Sequence, residues 1–197
     1  MAIFTKLDKE KIGSIISNYN LGNMKNYEGI KEGIENTNYL VETDKGKFIL
    51  TIYEKRVNND DLPFFSKLMV ELSNKDFICP KPILNKNKEY ISDLNTKKFM
   101  LVSFLEGKSK TNLSPDDCSS VGKQAAKLHE ITKNFDFKRN NNLSIKSWRK
   151  IFDQVRDKCN KIHPDLPKLI ETNLNDVEKG WPEDLPRGII HADLFHD

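Results

Sequence analysis

Three features of this 197-residue sequence predict an α+β fold in two lobes. Up to about residue 103, apolar and polar side chains alternate in short runs separated by turn residues, the period of half-buried strands. Beyond Gly107 the apolar spacing changes to three and four, the period of amphipathic helices. After Pro182 and Pro186 the helical pattern breaks, and "RGIIHADLFHD" (Arg187 to Asp197) runs two isoleucines into a His-x-Asp. A strand-rich part followed by a helical part defines the segregated α+β class. The lobes are expected at 1–103 and 108–197, joined by a connector at 104–107.

A first helix is predicted over Asp8–Tyr19, with Ile12, Ile15, Ile16 and Tyr19 on one face. Tyr39 and Val41, then Phe48, Leu50 and Ile52, alternate about Asp44-Lys45-Gly46, a strand pair closed by a tight turn. Residues 61–74 read as a helix, capped by Asp61, with Pro63 in its first turn and Leu62, Phe65, Leu68, Met69 and Leu72 as its stripe. The stretch from Cys79 to Lys108 supplies two or three short strands, the last over Phe99–Phe104. An antiparallel sheet of about five strands, with the 61–74 helix packed on it, is therefore expected.

In the second part, Ser114-Pro115-Asp116-Asp117 opens a helix: a Ser cap, Pro at the first position, and acids at the positive end of the dipole. Val121, Ala125 and Leu128 carry it to about Ile131. Trp148, Ile151, Phe152, Val155 and Cys159 mark a further helix, and Ile170, Leu174, Val177 and Trp181 another. A short strand is expected at Ile189–Ile190, delivering His191 and Asp193 to a loop.

Composition excludes several classes. Lysines and arginines number 32 against 29 acids, spread along the whole length, so no basic face for nucleic acid is indicated. Cys79, Cys118 and Cys159 lie far apart with no C-x-x-C, which argues against a disulfide framework or a structural zinc site. The polar N-terminus and the lack of a spanning apolar run lead to the expectation of a cytoplasmic protein without membrane contact.

The chemistry-bearing residues gather in two places. His-x-Asp after a short strand is the front of the phosphoryl-transfer loop H-x-D-x-x-x-x-N, whose Asp takes the proton of an attacking hydroxyl and whose Asn holds magnesium. Counted from Asp193, that Asn position is 198. A three-residue pattern is equally compatible with a capping Asp after a buried strand. His191, Asp193 and His196 also fit a zinc or di-metal hydrolase site, but the ligand supply is thin: His129 reads as a surface or lobe-packing residue and His163 as a loop residue. Near the N-terminus, Gly29 and Gly33 place flexible residues just before the strand pair, where backbone amides could approach a phosphate; an ordinary tight turn is the plainer reading.

The order of these parts is that of a kinase-like fold, and several stretches are specific. "YEGIKEGIENTNYLV", "FILTIYEKR", "DLPFF", "CPKPI", "LVSFLEG", "VGKQAAKLH" and "GIIHADLFHD" span nearly the whole chain. With them the sequence resembles the aminoglycoside-phosphotransferase-like branch of the protein-kinase fold, and within it the bacterial homoserine kinase family. The resemblance implies ATP- and Mg2+-dependent phosphorylation of the homoserine hydroxyl, a step toward threonine. It implies Asp193 as the catalytic-loop base and His191 as its brace. The turn Glu32 to Asn38, with Asn36, Thr37 and Asn38, would cover the nucleotide. Ser103, Phe104 and Leu105 would form the hinge that meets the adenine.

Two departures from the kinase pattern stand out. The strand position that usually carries a phosphate-binding Lys or Arg holds Thr51, leaving Lys55 or Arg56 to do the work or to be surface charges. Glu71 is a candidate partner for such a cation, or a solvated helix residue. The family also continues past this point with the magnesium-binding Asn and a later Asp. The chain is therefore expected to be the N-terminal portion of such a kinase, its second lobe truncated and its own activity slight. Sibling kinases acting on choline, methylthioribose or aminoglycosides are the near alternatives, and a non-catalytic nucleotide-binding piece is the alternative from another class.

Overall fold

A computed structural model describes residues 3–55 and 57–194. The chain forms two compact units, Met1–Phe137 with Ile189–Asp197, and Lys138–Gly188.

The first unit is built on a five-stranded sheet in the order β1-β2-β3-β5-β4. Its strands are β1 (Met24–Ile30), β2 (Thr37–Thr43), β3 (Gly46–Ile52), β4 (Ile91–Leu94) and β5 (Lys97–Ser103). Every neighbouring pair is antiparallel. The register Thr43↔Gly46 leaves Asp44-Lys45 as the connection, with Gly46, the third residue of the expected turn, opening β3. Because strand side chains alternate faces, Tyr39 and Val41, Phe48, Leu50 and Ile52, and Phe99 and Leu101 all fall on one side. There they join Ile12, Ile15, Ile16 and Tyr19 in a continuous core.

Helix α1 (Lys9–Ser17) therefore closes the sheet. Asp8 caps it by accepting a hydrogen bond from the Lys11 N–H at 2.8 Å. Helix α2 (Leu62–Asn74) packs beside β4 rather than contributing to this core, although Leu62 and Leu72 are buried. Asp61 departs from expectation. It stands at the N-cap position in helical geometry, and its carboxylate does not cap α2. The chain instead enters α2 through a 3-10 turn, Asn59–Asp61, whose cap is Asn58 accepting from the Asp60 N–H.

Helix α3 (Pro115–Thr132) belongs to the same unit. Ser114 and Asp117 form a reciprocal capping box, as the Ser-Pro-Asp-Asp run requires. A hydrogen bond from Lys110, then those from the Ser114 N–H and hydroxyl, hold the Asp117 carboxyl far below the usual carboxylate range. Two lysine side chains tie α3 to the end of α2: Lys127 Nζ donates to Asp76 O (2.9 Å) and Lys75 Nζ to Ile131 O (3.2 Å).

The second unit is a helical hairpin, α4 (Ile145–Cys159) and α5 (Leu166–Gly180). Arg149 grips Glu178 and Arg156 grips Glu171, so the helices run antiparallel. Trp181, expected on the last helical stripe, lies just beyond it and meets Trp148 edge to face at 5.5 Å. The strand expected at Ile189–Ile190 does not form: the segment is irregular and Ile190 is 58% exposed. A strand exists through its ladder, and among the described residues none pairs with this segment.

Candidate functional site

Residues 31–36 connect β1 to β2 at the sheet edge. Gly33 has φ +94° there with open space around it. The requirement for glycine is thus conformational, since a side chain at this φ would be strained. Gly29 is different. It lies inside β1, opposite Tyr39, and a Cβ added to it would stand 2.5 Å from Ile3 Cδ1. Its smallness lets the N-terminal segment lie close to the strand. Beneath the turn, a cleft of about 270 Å3 is lined by Glu28 to Glu32, by Leu40 of β2 and by Phe104. Ile30, Leu40 and Phe104 offer apolar and aromatic faces, and the turn offers backbone.

The Glu32 to Asn38 stretch divides between two faces of the sheet. Asn38 Oδ1 accepts a hydrogen bond from Thr51 Oγ1 at 2.8 Å, across the β2–β3 register that pairs them. Thr51, at the strand position of the missing cation, is thereby bound to its neighbour. Thr37 points the other way and is wholly buried. Its hydroxyl accepts from the Phe4 and Thr5 N–H groups (3.0 and 3.1 Å) and donates to Glu54 Oε1 (2.8 Å). Asn36 Oδ1 accepts from the Glu54 N–H at 3.4 Å.

Glu54 was not singled out in the sequence, yet it gathers these contacts. Thr5 Oγ1 donates to Oε1 at 2.6 Å, and Lys97 forms a salt bridge with Oε2. The side chain is only 9% exposed. Burial pushes its carboxyl up, but hydrogen bonds from Lys97, Thr5 and Thr37 outweigh that and hold it below the usual carboxylate range. A sequence signal existed. Glu54 continues the buried phase of Phe48, Leu50 and Ile52, and Lys97 that of Phe99 and Leu101. With Ile52 opposite Phe99, the next inward pair in the ladder is Glu54 and Lys97.

Lys55 is exposed at the second position of a turn closed by Val57 N–H to Glu54 O, 3.2 Å. Arg56 lies outside the described residues. Glu71 pairs at 2.8 Å with Lys75, the residue that caps the end of its own helix, as a solvated helix carboxylate does. At the connector, Ser103 Oγ accepts from the Lys81 N–H (2.9 Å) and the Phe104 N–H donates to Lys47 O (3.2 Å). The Phe104 amide is therefore engaged, and exposed Leu105 carries the next one. Lys47 Nζ stands over the Phe104 ring at 5.6 Å and near Glu106 at 3.6 Å.

His191 and Asp193 are both exposed on the irregular segment that re-enters the first unit. Ala192 between them has φ +67°, a left-handed geometry uncommon for a residue with a Cβ. Beside it an apolar groove of about 520 Å3 runs along α3 past Val121, Ala125 and Leu128. His191 and His129 both line it. His129, read from sequence as a surface or packing residue, thus shares a groove with the candidate loop. His163 is an exposed loop residue whose Nδ1 accepts from the Asp165 N–H at 3.2 Å. Among the described residues no group of three His, Cys, Asp or Glu side chains is placed to hold a metal ion, and His196 lies outside them.

Comparison with known proteins adds identity to this geometry. Residues 26–197 match the phosphotransferase enzyme family. A homoserine kinase of Brucella anthropi is 39% identical over the whole chain, which covers 60% of that protein. Those of Methylobacterium nodulans and Mesorhizobium japonicum are 40% identical, again over the whole chain, covering 61% and 62% of theirs. The chain thus spans about 60% of the length of the curated relatives it matches. Among solved structures, an amicoumacin kinase in complex with AMP-PNP, Ca2+ and Ami superposes with a TM-score of 0.56 at 15% identity, over 80% of this chain and 54% of its own. A spectinomycin phosphotransferase with ADP and spectinomycin gives 0.56 at 13% identity, over 91% and 60%. These likenesses show the fold, an α+β aminoglycoside-phosphotransferase architecture.

Proposed function

We propose a function from one premise: the chain belongs to the phosphotransferase enzyme family. The whole protein, in this reading, phosphorylates the hydroxyl of L-homoserine using Mg-ATP. The observation that supports the nucleotide half is the cleft beneath the Gly33 turn, walled by Ile30, Leu40 and Phe104. A flat base stacks on such walls. The Leu105 amide, beside the engaged Phe104 amide, is the hinge donor in this reading. Backbone N–H groups of the 31–36 turn and the Lys55 ammonium meet the phosphates. Residues 1–103 serve as the nucleotide lobe, 104–107 as the hinge, and the chain from 108 onward as the start of the substrate lobe.

Asp193 accepts the proton of the attacking hydroxyl and orients it, and His191 braces the loop against the α3 groove it lines. Magnesium, if bound, would neutralise charge on the transferred phosphoryl group, held in this reading by the Asn expected at position 198 of the whole protein and by a later Asp. Homoserine as the substrate rests on the relatives of about 40% identity. Among the described residues no helix is long and apolar enough to cross a membrane, and the ATP-rich cytoplasm is the proposed place of work.

The test is phosphoryl transfer by the whole protein to homoserine, choline, methylthioribose and aminoglycosides in parallel. Preference for any but homoserine, or no ATP-dependent transfer, overturns the proposal. Asp193→Asn is expected to lower kcat by about 10²–10⁴-fold while leaving the KM for ATP nearly unchanged.

A further inference from the structure

The strongest unassigned feature is the part-buried polar knot at the end of β3. A carboxylate on the inward phase of a strand is costly unless fully bonded, and Glu54 is bonded on every side. Oε1 accepts from Thr5 and Thr37, Oε2 from Lys97, and its own N–H donates to Asn36 Oδ1. Tyr39 adds to the knot from the same face, accepting from the Leu7 N–H and donating to Thr5 O, each at 2.9 Å.

What this knot joins is informative. Asn36 and Thr37 are where the nucleotide turn meets β2. Glu54 is the first residue of the turn that carries Lys55, with its carbonyl closing that turn. Lys97 opens β5, the strand that ends at the hinge. One carboxylate therefore ties three parts of the nucleotide site at their roots, and it lies on the opposite sheet face from Asn38 and Thr51. A hydrophobic pair would fill the same interior, but it would lose the side-chain bonds that join the start of the 54–57 turn to Thr37 and Lys97.

We propose that Glu54 is a positioning residue for phosphate binding: with Lys97 and Thr37 it fixes the turn that carries Lys55 relative to the turn that carries Gly33. The proposal rests on the nucleotide reading given above. It implies that Glu54 matters to the phosphates and not to the base.

The experiment uses the whole protein and measures binding of Mg-ATP and of adenosine by competition with a fluorescent ATP analogue, alongside thermal unfolding. E54Q and K97M are expected to weaken ATP about tenfold, the scale of one displaced charged hydrogen bond, with adenosine binding unchanged. K97R restores ATP affinity, and K98A, which removes the neighbouring exposed partner of Asp93, leaves both ligands unaffected. K55A weakens ATP as well, and E54Q/K55A is no worse than K55A, because the two act through one turn. Should E54Q fail to fold, K97M against K97R carries the same comparison. Equal losses for ATP and adenosine, or a lower melting temperature with ATP affinity intact, would reduce the knot to a fold-stabilising feature and overturn the proposal. A wild-type protein that binds no nucleotide would instead bring down the function itself, and the inference with it.

Discussion

Thr37 and Gly33 illustrate two different demands on single residues within one short region. Thr37 is small enough to be wholly buried and polar enough to accept two backbone hydrogen bonds and give one. Valine would fill the space and strand the Phe4 and Thr5 amides, at a cost of roughly 1–3 kcal/mol for unpaired buried groups. Gly33 meets a backbone demand only. Nothing lies within 4 Å of where its Cβ would be, but its φ is +94°. Gly33→Ala is therefore expected to strain the turn by on the order of 1 kcal/mol, lowering the melting temperature by a few degrees and weakening ATP several-fold as the turn relaxes. Calorimetric titration beside a thermal scan checks both. An equal loss for adenosine would assign the turn to base rather than phosphate contact.

Elements in this protein start where short-range chemistry tells them to. The Ser114 cap, Pro115 and Asp117 fix the start of α3 without help from the rest of the fold, because the helix's first N–H groups lack internal partners and the capping box satisfies them. Ser114→Ala is expected to cost about 1 kcal/mol, read as a lower denaturant midpoint at unchanged slope. No loss would mean that tertiary packing alone holds the helix start. Asp61 teaches the converse. Its position before Leu62-Pro63 has the pattern of a cap, but the chain arrives in a 3-10 turn, so Asp61 already has helical φ and ψ and cannot turn its carboxylate onto the following amides.

At the scale of the whole molecule, the knot around Glu54 couples stability to acid. Its folded-state pKa is depressed from the ordinary 4.5, so the unfolded chain takes up the proton first as the pH falls. The stabilisation is thus complete at pH values above about 4.5 and is lost as the pH falls below this, through the depressed folded value. Melting curves of the wild type and E54Q are expected to differ at neutral pH and to converge in acid. A gap that stayed constant down to pH 3 would show that packing, not charge, carries the effect. The α4–α5 hairpin gives no comparable handle, because its Arg–Glu pairs are solvent-exposed and screened by salt.

Sequence alone determined the alternation of β2 and β3, the tight turn between them and the capped start of α3, because each depends on residues within a few positions of one another. Only the tertiary structure decided which helix closes the sheet, since α1 and α2 are both amphipathic and only register with Tyr39, Val41 and Leu50 distinguishes them. It also decided that Gly29 serves packing against Ile3, while Gly33 serves a turn. The Ile189–Ile190 run shows the limit most plainly: two isoleucines favour a strand, but a strand needs a neighbour's backbone, and no local pattern can supply that. Glu54 and Lys97 lay legible in the alternation of two strands 40-odd residues apart. What made them a pair was the β3–β5 register, which exists only once the sheet has formed.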